Sequence, residues 1–170
     1  MEIHRNLSSF TPLVGSVITI GSYDGIHRGH FHIVNRLLSI ANSTEAQSVV
    51  ITFNPHPRHV INNKNDKIKL LMSPDRKIEI FKKLGIDILI ILEFNEDFMK
   101  IKAEDFMSNV LIKYFNPNYI VAGSNHSFGY NRDGDSQFLM KFCDENKIGL
   151  EIVDPIIDGK TTISSTNIRK

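Results

Sequence analysis

Short, almost wholly apolar runs alternate along the chain with stretches whose apolar residues recur every three or four positions. The short runs predict buried strands at residues 17–20, 49–53, 86–92, 119–122 and 150–153. The stretches between them predict amphipathic helices at residues 31–41, 74–84, 106–114 and 138–142. Strand and helix in regular alternation predict an α/β fold with a five-stranded parallel sheet and helices on both faces.

Local signals support this assignment in two places. Ser73 is a typical helix N-cap, Pro74 suits the first helical position, and Gly85 suits the stop. The polar run at residues 62–67 predicts a mobile loop. Because parallel sheets bind ligands at the carboxyl ends of their strands, we expect the functional residues directly after the apolar runs.

Composition and charge limit the possible classes of protein. The chain has 170 residues, enough for one domain, and 20 basic against 19 acidic residues give a net charge of +1. This balance disfavours nucleic acid as a partner, and no segment reaches the roughly 20 apolar residues of a membrane span. Cys143 is the single cysteine, which fits a reducing compartment. We therefore expect a single domain over residues 1–170, cytoplasmic, with no membrane partner; the oligomeric state stays open.

The segment GSYDGIHRGH at residues 21–30 follows the first predicted strand and leads directly into a helix. Its glycines let the backbone approach a ligand closely, and a helix N-terminus offers free N–H groups to phosphate. His27 and His30 are three residues apart, so both rings can face one pocket. Imidazoles donate hydrogen bonds to phosphate oxygens as negative charge develops. The segment therefore predicts a phosphate site, although its glycine spacing matches neither the dinucleotide fingerprint nor the P-loop.

Other interpretations of the two histidines are weaker. Histidines in a turn are often solvated surface groups, but the ten-residue pattern after a strand favours a binding site. A zinc site needs a third ligand, and Cys143 has no second cysteine nearby. No protein-bound metal site is predicted.

Three further polar segments are candidates for binding. Residues 164–169, SSTNIR, combine a helix N-cap with Arg169, which can clamp a phosphate; a plain N-cap with a surface arginine is the alternative. Residues 52–58, TFNPHPR, form a turn that two prolines stiffen, for binding or as a simple surface loop. Residues 123–135, GSNHSFGYNRDGD, follow the fourth strand and suit either a binding loop or a solvated turn.

Together these segments resemble the prokaryotic FAD synthetase family, the bifunctional riboflavin kinases/FMN adenylyltransferases of the HxGH nucleotidylyltransferase superfamily. GSYDGIHRGH resembles the HxGH signature and ISSTNIR the second signature. TFNPHPR resembles the flavin-side loop, and SFGYNRDGD the stretch after the fourth strand. The resemblance runs from Val14 to Arg169, and it departs from the family pattern at His126, where an aromatic residue is usual.

The resemblance implies a Rossmann-like nucleotidylyltransferase fold and transfer of AMP from ATP to FMN, giving FAD and pyrophosphate, with Mg²⁺ bridging phosphate oxygens. His27, His30 and Arg169 would be catalytic. The resemblance assigns ATP binding to Gly21, Tyr23, Asp24, Gly25, His27, Gly29, His30, Ser164, Ser165, Thr166 and Arg169. It assigns FMN binding to Asn54, Pro55, His56, Asn125, Arg132 and Asp135.

Alternatives to this function stay open at this point. Another HxGH nucleotidylyltransferase, such as a cytidylyl or pantetheine-phosphate enzyme, shares the first signature. A non-catalytic nucleotide- or flavin-binding module and a purely structural domain are the other candidates. The bacterial family carries a riboflavin kinase module after the second signature, whereas this sequence stops at Lys170. We therefore expect a piece of a longer protein or, alternatively, a stand-alone adenylyltransferase.

Overall fold

The computed structural model describes residues 1–61, 68–159 and 161–169. The loop predicted at residues 62–67 lies outside the described residues. Where it is described, the chain follows the alternation of strands and helices that the apolar pattern predicts.

A six-stranded, wholly parallel sheet forms the centre of the fold. Its strands are β1 (Glu2–His4), β2 (Ser16–Ile20), β3 (Gln47–Asn54), β4 (Ile88–Glu93), β5 (Pro117–Gly123) and β6 (Gly149–Val153). A short antiparallel hairpin of β7 (Ile157–Asp158) and β8 (Thr161–Thr162) follows the sheet.

Helices connect the strands and flank the binding loops. They are α1 (Arg28–Ser43), α2 (Pro57–Ile61), α3 (Pro74–Leu84), α4 (Ala103–Phe106), α5 (Ser136–Glu145) and α6 (Ser165–Ile168). A π-helix (Met107–Phe115) continues α4, and two 3-10 helices span Phe98–Lys100 and Tyr130–Arg132.

Both faces of the sheet are buried, which explains why its strands are continuously apolar. On one face, Ile18 of β2 and Ile51 of β3 pack with residues of the π-helix and α5. On the other face, Val17 of β2 packs with residues of α1 and α3. The α/β class and the helices on both faces are thereby confirmed.

The central sheet has one strand more than the predicted five. β1 pairs with the outer side of β4, with Glu2 opposite Ile88 and His4 opposite Ile90. Its three residues are half-buried or exposed because they form the sheet edge, so they lack the apolar run that marks the inner strands. The predicted boundaries of α3 are confirmed: the Ser73 hydroxyl accepts from the Arg76 N–H at 3.2 Å, and Gly85 ends the helix at φ +83°.

In the strand order β1-β4-β3-β2-β5-β6, the direction in which strands are added reverses between β4 and β5. From β2 the chain proceeds through β3 to β4 on one side, and it then returns to the other side of β2 as β5. A crevice forms at such a switch point, outside the carboxyl ends of the two strands. Here these ends lead into the loops that begin at Gly21 and Ser124.

Candidate active site

The glycine-rich loop after β2 brings His27 and His30 together. His27 is the N-cap residue of α1, and three residues later His30 projects from its first turn. The two rings stack at a centroid distance of 3.7 Å and an interplanar angle of 19°. A Cβ on residue 29 would lie 3.3 Å from the His27 ring, so the glycine avoids steric crowding of that ring. The predicted juxtaposition of the two imidazoles is confirmed.

Both imidazoles are held in the neutral form. Burial lowers the pKa of His27, and the nearby carboxylate of Asp24 only partly opposes it. Burial, reinforced by His27 and Lys77, lowers the pKa of His30 to about 3. The Nδ1 atoms of both rings are buried without a hydrogen-bond partner in the described part of the chain. Each ring therefore keeps hydrogen-bonding capacity that the protein does not use.

Tyr23 supports His30 from inside the protein. Its side chain is 2% exposed, its ring centroid is 5.1 Å from that of His30, and its hydroxyl lies 2.7 Å from Oγ1 of Thr19. The backbone adopts φ +47°, an uncommon value for a residue with a side chain. Such strain is found where the surroundings fix a functional loop. Burial also raises the pKa of Tyr23, so the hydroxyl stays protonated.

The second motif packs against the first through Ser165 and Arg169, which both contact Asp24. The Ser164 hydroxyl caps α6 by accepting from the Asn167 N–H at 3.3 Å, so the predicted N-cap is confirmed. The Ser165 hydroxyl donates to the Asp24 carbonyl at 2.6 Å. Arg169 forms an ion pair with the Asp24 carboxylate and donates from Nε to the Lys69 carbonyl at 3.0 Å.

Asp24 and Gly25 fix the glycine-rich loop against Leu71. The other oxygen of the Asp24 carboxylate accepts from the Leu71 N–H at 2.9 Å. Gly25 has φ +82°, and a Cβ there would approach Leu71 to 2.7 Å. Neither Asp24 nor Gly25 lines the two large clefts described below. The resemblance predicts that both residues bind ATP; from these positions they would act by holding the glycine-rich loop in place.

Lys77 of α3 reaches under the same loop. Its ammonium donates to the Ser22 carbonyl at 2.6 Å and to the Thr52 hydroxyl at 3.3 Å. Thr52 also donates to the Ser22 carbonyl at 3.2 Å. Burial lowers the pKa of Lys77 to about 8, against the opposing effect of Asp24. This partly buried cation ties the ends of β2 and β3 together.

A polar cleft of about 320 Å³ lies over the histidine pair. It collects most of the residues that the resemblance assigns to ATP. They are Gly21, Tyr23, His27, Gly29, His30, Ser164, Ser165, Thr166 and Arg169. His56 and Asn125, which the resemblance assigns to FMN, also line it, and the carboxylate residue Asp154 lies on its wall.

A second cleft, of about 940 Å³, adjoins the first and is rich in aromatic side chains. Its aromatic lining consists of Phe53, Phe94, Phe98, Phe106, Phe128 and Tyr130. Phe53, Phe94 and Phe98 pack against one another with ring centroids 5.4 to 5.6 Å apart. A planar aromatic ring is the kind of ligand that such a surface accommodates.

The residues that the resemblance assigns to FMN divide into two groups. His56, Asn125 and Arg132 line the aromatic cleft, whereas Asn54, Pro55 and Asp135 do not. Asn54 borders a small cavity of about 30 Å³ beside Lys77. Asp135 instead caps α5 by accepting from the Phe138 N–H at 2.9 Å. The assignment of all six residues to FMN stays a prediction.

Sequence reasoning missed several residues that line the clefts. Phe94 and Phe98 follow β4, in a stretch without glycine or histidine that carried no chemical signal. Arg58, the last residue of the TFNPHPR motif, lines both clefts and donates to the Thr166 hydroxyl at 3.3 Å. Its position in the motif was visible in the sequence, but only the structure brings it to the second motif.

His126 forms part of the wall between the clefts, at the departure from the family pattern. Its ring stacks on Phe128 with centroids 5.5 Å apart and an angle of 25°. Burial lowers the pKa of His126 to about 4, so the ring is neutral at pH 7. It therefore occupies the place of the usual aromatic residue as a flat, uncharged ring.

Metal-binding capacity is limited in the described ranges. No group of three or more His, Cys, Asp or Glu side chains there is arranged to hold a metal ion. None of the described helices is both long and apolar enough to cross a membrane.

The amino-acid sequence is similar to those of FAD synthetases. The sequence profile of the FAD synthetase family matches residues 11–167. The bifunctional riboflavin kinase/FMN adenylyltransferase of Buchnera aphidicola subsp. Schizaphis graminum is 36% identical over 156 residues, 91% of this chain and 50% of that protein. An FAD synthetase of Listeria monocytogenes is 35% identical over 170 residues, 99% of this chain and 68% of that protein. The chain spans about half the length of the bifunctional relatives that it matches.

Structural comparison finds similar folds among solved structures. A crystal structure from Streptococcus pneumoniae, described as a macrolide-efflux protein, superposes with a TM-score of 0.82 and 27% identity over 98% of this chain and 53% of that one. A pantoate-beta-alanine ligase from Francisella tularensis, complexed with beta-gamma ATP and beta-alanine, gives a TM-score of 0.60 at 15% identity over 100% and 73% of the two chains, a likeness of fold alone. With a family profile that covers nearly its whole length, the chain belongs to the FAD synthetase family.

Proposed function

We propose that this chain is an FMN adenylyltransferase, which transfers AMP from ATP to FMN and releases pyrophosphate. One observation carries the proposal: a polar cleft over two stacked, neutral histidines opens into a larger aromatic cleft at the switch point of the sheet. A nucleoside triphosphate and a flavin need two such adjoining sites, because the phosphate of FMN must reach the α-phosphate of ATP.

The polar cleft suits the triphosphate of ATP. The α1 N-terminus presents backbone N–H groups beside His27 and His30, and such helix termini favour phosphate. Ser164, Thr166 and Arg169 of the second motif line the same cleft. We assign His27 and His30 to the α-phosphate, and the second motif to the β- and γ-phosphates that leave as pyrophosphate.

The aromatic cleft suits the isoalloxazine ring of FMN. Phe53, Phe94 and Phe98 offer ring faces and edges, and offset or edge-on packing of aromatic rings is favourable. His56 and Asn125 lie where the two clefts meet, close to where the FMN phosphate would enter the polar cleft. We assign them to FMN, together with Arg132, which lines the aromatic cleft.

The reaction asks this protein for positioning and for stabilisation of charge. An oxygen of the FMN phosphate attacks the α-phosphorus of ATP in line, the new O–P bond forms, and the bond to the β-phosphate oxygen breaks. Pyrophosphate leaves with the electron pair of that bond, and no covalent protein intermediate forms. Neutral imidazoles can each donate one N–H to the α-phosphate oxygens, on which negative charge builds.

Mg²⁺ fits this site only as part of the ATP substrate. The described residues offer no cage of three or more metal-binding side chains, and the Asp24 carboxylate already pairs with Arg169 and with the Leu71 N–H. Mg²⁺ keeps several waters and commonly binds substrate phosphates, where it would neutralise their charge. Asp154 lines the polar cleft, and its carboxylate is the type of side chain that would support an Mg²⁺ ion bound to the phosphates.

Several properties of the whole protein belong to the same proposal. We assign residues 1–170 to a single nucleotidylyltransferase domain, the chain to the cytoplasm, and its partners to the small molecules ATP and FMN. The single, buried Cys143 thiol, whose pKa burial raises to about 11, supports a reducing compartment.

The test is direct conversion of substrates. The chain is incubated with FMN, ATP and Mg²⁺, and FAD and pyrophosphate are measured by chromatography and a coupled phosphate assay. FAD formed in a one-to-one ratio with pyrophosphate is expected. A panel in which CTP replaces ATP, or pantetheine phosphate replaces FMN, distinguishes this activity from those of other nucleotidylyltransferases. Binding of ATP and FMN without any turnover would overturn the proposal in favour of a non-catalytic module.

A further inference from the structure

The two clefts meet at a wall that carries very little charge. Apart from backbone and apolar groups, the described residues that line both clefts include His56, Asn125, His126 and Arg58. Burial lowers the pKa of His56 and of His126 to about 4, so neither ring is protonated at pH 7. Among the described residues of this shared wall, Arg58 is therefore the only one with a permanent charge.

The site geometry keeps this charge at the junction. The backbone N–H of Arg58 donates to Nδ1 of His56 at 3.2 Å, which fixes the first turn of α2 against the junction. Its guanidinium reaches across to α6 and donates from Nη2 to the Thr166 hydroxyl at 3.3 Å. No carboxylate of the described residues forms an ion pair with it. The side chain is exposed, and most of its N–H donors remain available to a ligand.

The other arginines of the clefts are engaged elsewhere. Arg169 is paired with Asp24, and Arg132, which lines only the aromatic cleft, donates from Nε to the Ser127 hydroxyl at 2.8 Å. Neither residue lines both clefts.

The proposed reaction, on which this inference rests, must bring two anions together at the junction. The FMN phosphate carries up to two negative charges and the α-phosphate of ATP one, and their repulsion opposes attack. We propose that Arg58 is a catalytic residue whose guanidinium binds the FMN phosphate and offsets its repulsion by the α-phosphate. It donates hydrogen bonds and keeps its proton throughout; the oxygen–phosphorus bonds change as described for the reaction, with pyrophosphate as the leaving group.

The structure makes a distinctive prediction about binding. Because Arg58 would contact the phosphate of FMN and not its ring, its loss should weaken FMN binding and leave riboflavin binding unchanged. Arg58 would also offset the repulsion between the two phosphates. In its absence, a bound nucleotide should therefore weaken the binding of FMN. A merely structural role would weaken both flavins alike.

The experiment compares the wild-type chain with Arg58→Gln and Arg58→Lys. Dissociation constants for FMN and riboflavin are measured by flavin fluorescence, with and without α,β-methylene-ATP, which binds but cannot transfer AMP. In Arg58→Gln we expect FMN binding about 10-fold weaker without the analogue and weaker still with it, and kcat/KM for FMN about 100-fold lower. Arg58→Lys should recover part of each loss. Arg76→Gln, which removes an exposed arginine on α3 outside both clefts, is the matched control and should change none of these values.

The outcomes separate the inference from the function on which it rests. An Arg58→Gln chain with wild-type FMN affinity and turnover overturns the inference and leaves the proposed function intact. Equal weakening of FMN and riboflavin also overturns it, since Arg58 would then only hold the loop. A wild-type chain that makes no FAD overturns the proposed function, and the role of Arg58 in catalysis with it, whatever the binding constants show.

Discussion

The guanidinium of Arg169 forms an ion pair with the carboxylate of Asp24, which joins the two signature motifs across 145 positions of sequence. The pair is shielded from solvent: the side chain of Asp24 is 3% exposed and that of Arg169 is 16% exposed. Removing one partner of a buried pair leaves an uncompensated charge, which costs about 3 kcal/mol of folding free energy.

Arg169→Gln should therefore destabilise the fold. For a chain of this size the loss corresponds to a fall in Tm on the order of 10 °C, measured by circular dichroism during heating. The matched control is Arg28→Gln, because Arg28 and Asp158 form an exposed pair at 4.0 Å whose loss should leave Tm nearly unchanged. Equal small shifts in both variants would show that the buried pair contributes no more than a surface one.

Replacement of His30 by alanine should abolish most of the activity with folding intact. His30 lines the polar cleft with unused hydrogen-bonding capacity, and losing one preorganised donor costs about 10²- to 10³-fold in rate. FAD formation and Tm are measured together. His32→Ala on the same helix is the control, because His32 is exposed and lines neither cleft, and it should keep the wild-type rate. Near-normal FAD production by His30→Ala would remove His30 from the mechanism.

The fold should lose stability as the pH falls from 7 to 5. The folded chain holds the pKa of His30 at about 3 and that of His126 at about 4, whereas unfolded histidines bind protons below about pH 6.5. Protons thus bind more to the unfolded state in this window, and stability present above pH 6.5 is lost on acidification. Urea denaturation at several pH values measures the slope.

One variant isolates the contribution of His126. His126→Phe keeps a flat ring beside Phe128 but cannot bind a proton, so its stability should fall less steeply between pH 7 and 5. The other groups near His30, namely His27, Lys77 and Asp24, are unchanged in this variant. Identical slopes in the variant and the wild type would show that His126 is not held neutral by burial.

The sequence predicted the inner part of the fold because that part depends on local pattern. Strands such as β2 are buried on both faces, so their apolar runs stand out without any knowledge of the partners. β1 was missed because an edge strand of three residues has no such run. The π-helix (Met107–Phe115) was read as an α-helix because a pattern of apolar positions does not distinguish the two backbone hydrogen-bonding schemes.

How much of the candidate site could be predicted depended on whether a relationship between residues is local in sequence. His27 and His30 were found because their relationship is local, one turn apart on a helix after a strand. The contact from Arg58 to Thr166 spans 108 positions and depends on how α2 and α6 pack, which no spacing in the sequence encodes. The role of Lys77 was missed likewise, because it comes from α3 to a carbonyl 55 positions earlier.

Lys77→Met should lower activity without lowering stability. Removing a partly buried ammonium relieves its desolvation cost, and Thr52 still donates to the Ser22 carbonyl, so Tm should be unchanged or higher. The end of β2, however, loses the cation that ties it to β3, and FAD formation should fall at least about 10-fold through misplacement of the loop. Parallel losses of Tm and rate would mean that Lys77 serves only the fold.

The aromatic cleft predicts a loss confined to the flavin ring. Phe94→Leu keeps apolar volume but removes a ring that packs against Phe53 at 5.6 Å and Phe98 at 5.4 Å. Aromatic packing contributes about 0.5 to 1.5 kcal/mol beyond burial, so the dissociation constants of FMN and riboflavin should both rise about 3- to 10-fold. Affinity for ATP should stay the same, because Phe94 does not line the polar cleft.

Phe138→Leu provides the control for this prediction. Phe138 packs on Phe142 of α5 and on Phe128 from outside the clefts, and it lines neither cleft itself. Its loss therefore removes aromatic contacts behind the cleft wall without removing a ring from the lining of the proposed flavin site. Flavin titrations should give wild-type constants for this variant. If Phe94→Leu and Phe138→Leu bind both flavins as the wild type does, the ring does not occupy the aromatic cleft. If Phe94→Leu weakens FMN alone, the cleft recognises the phosphate, and the division of labour between Phe94 and Arg58 is wrong.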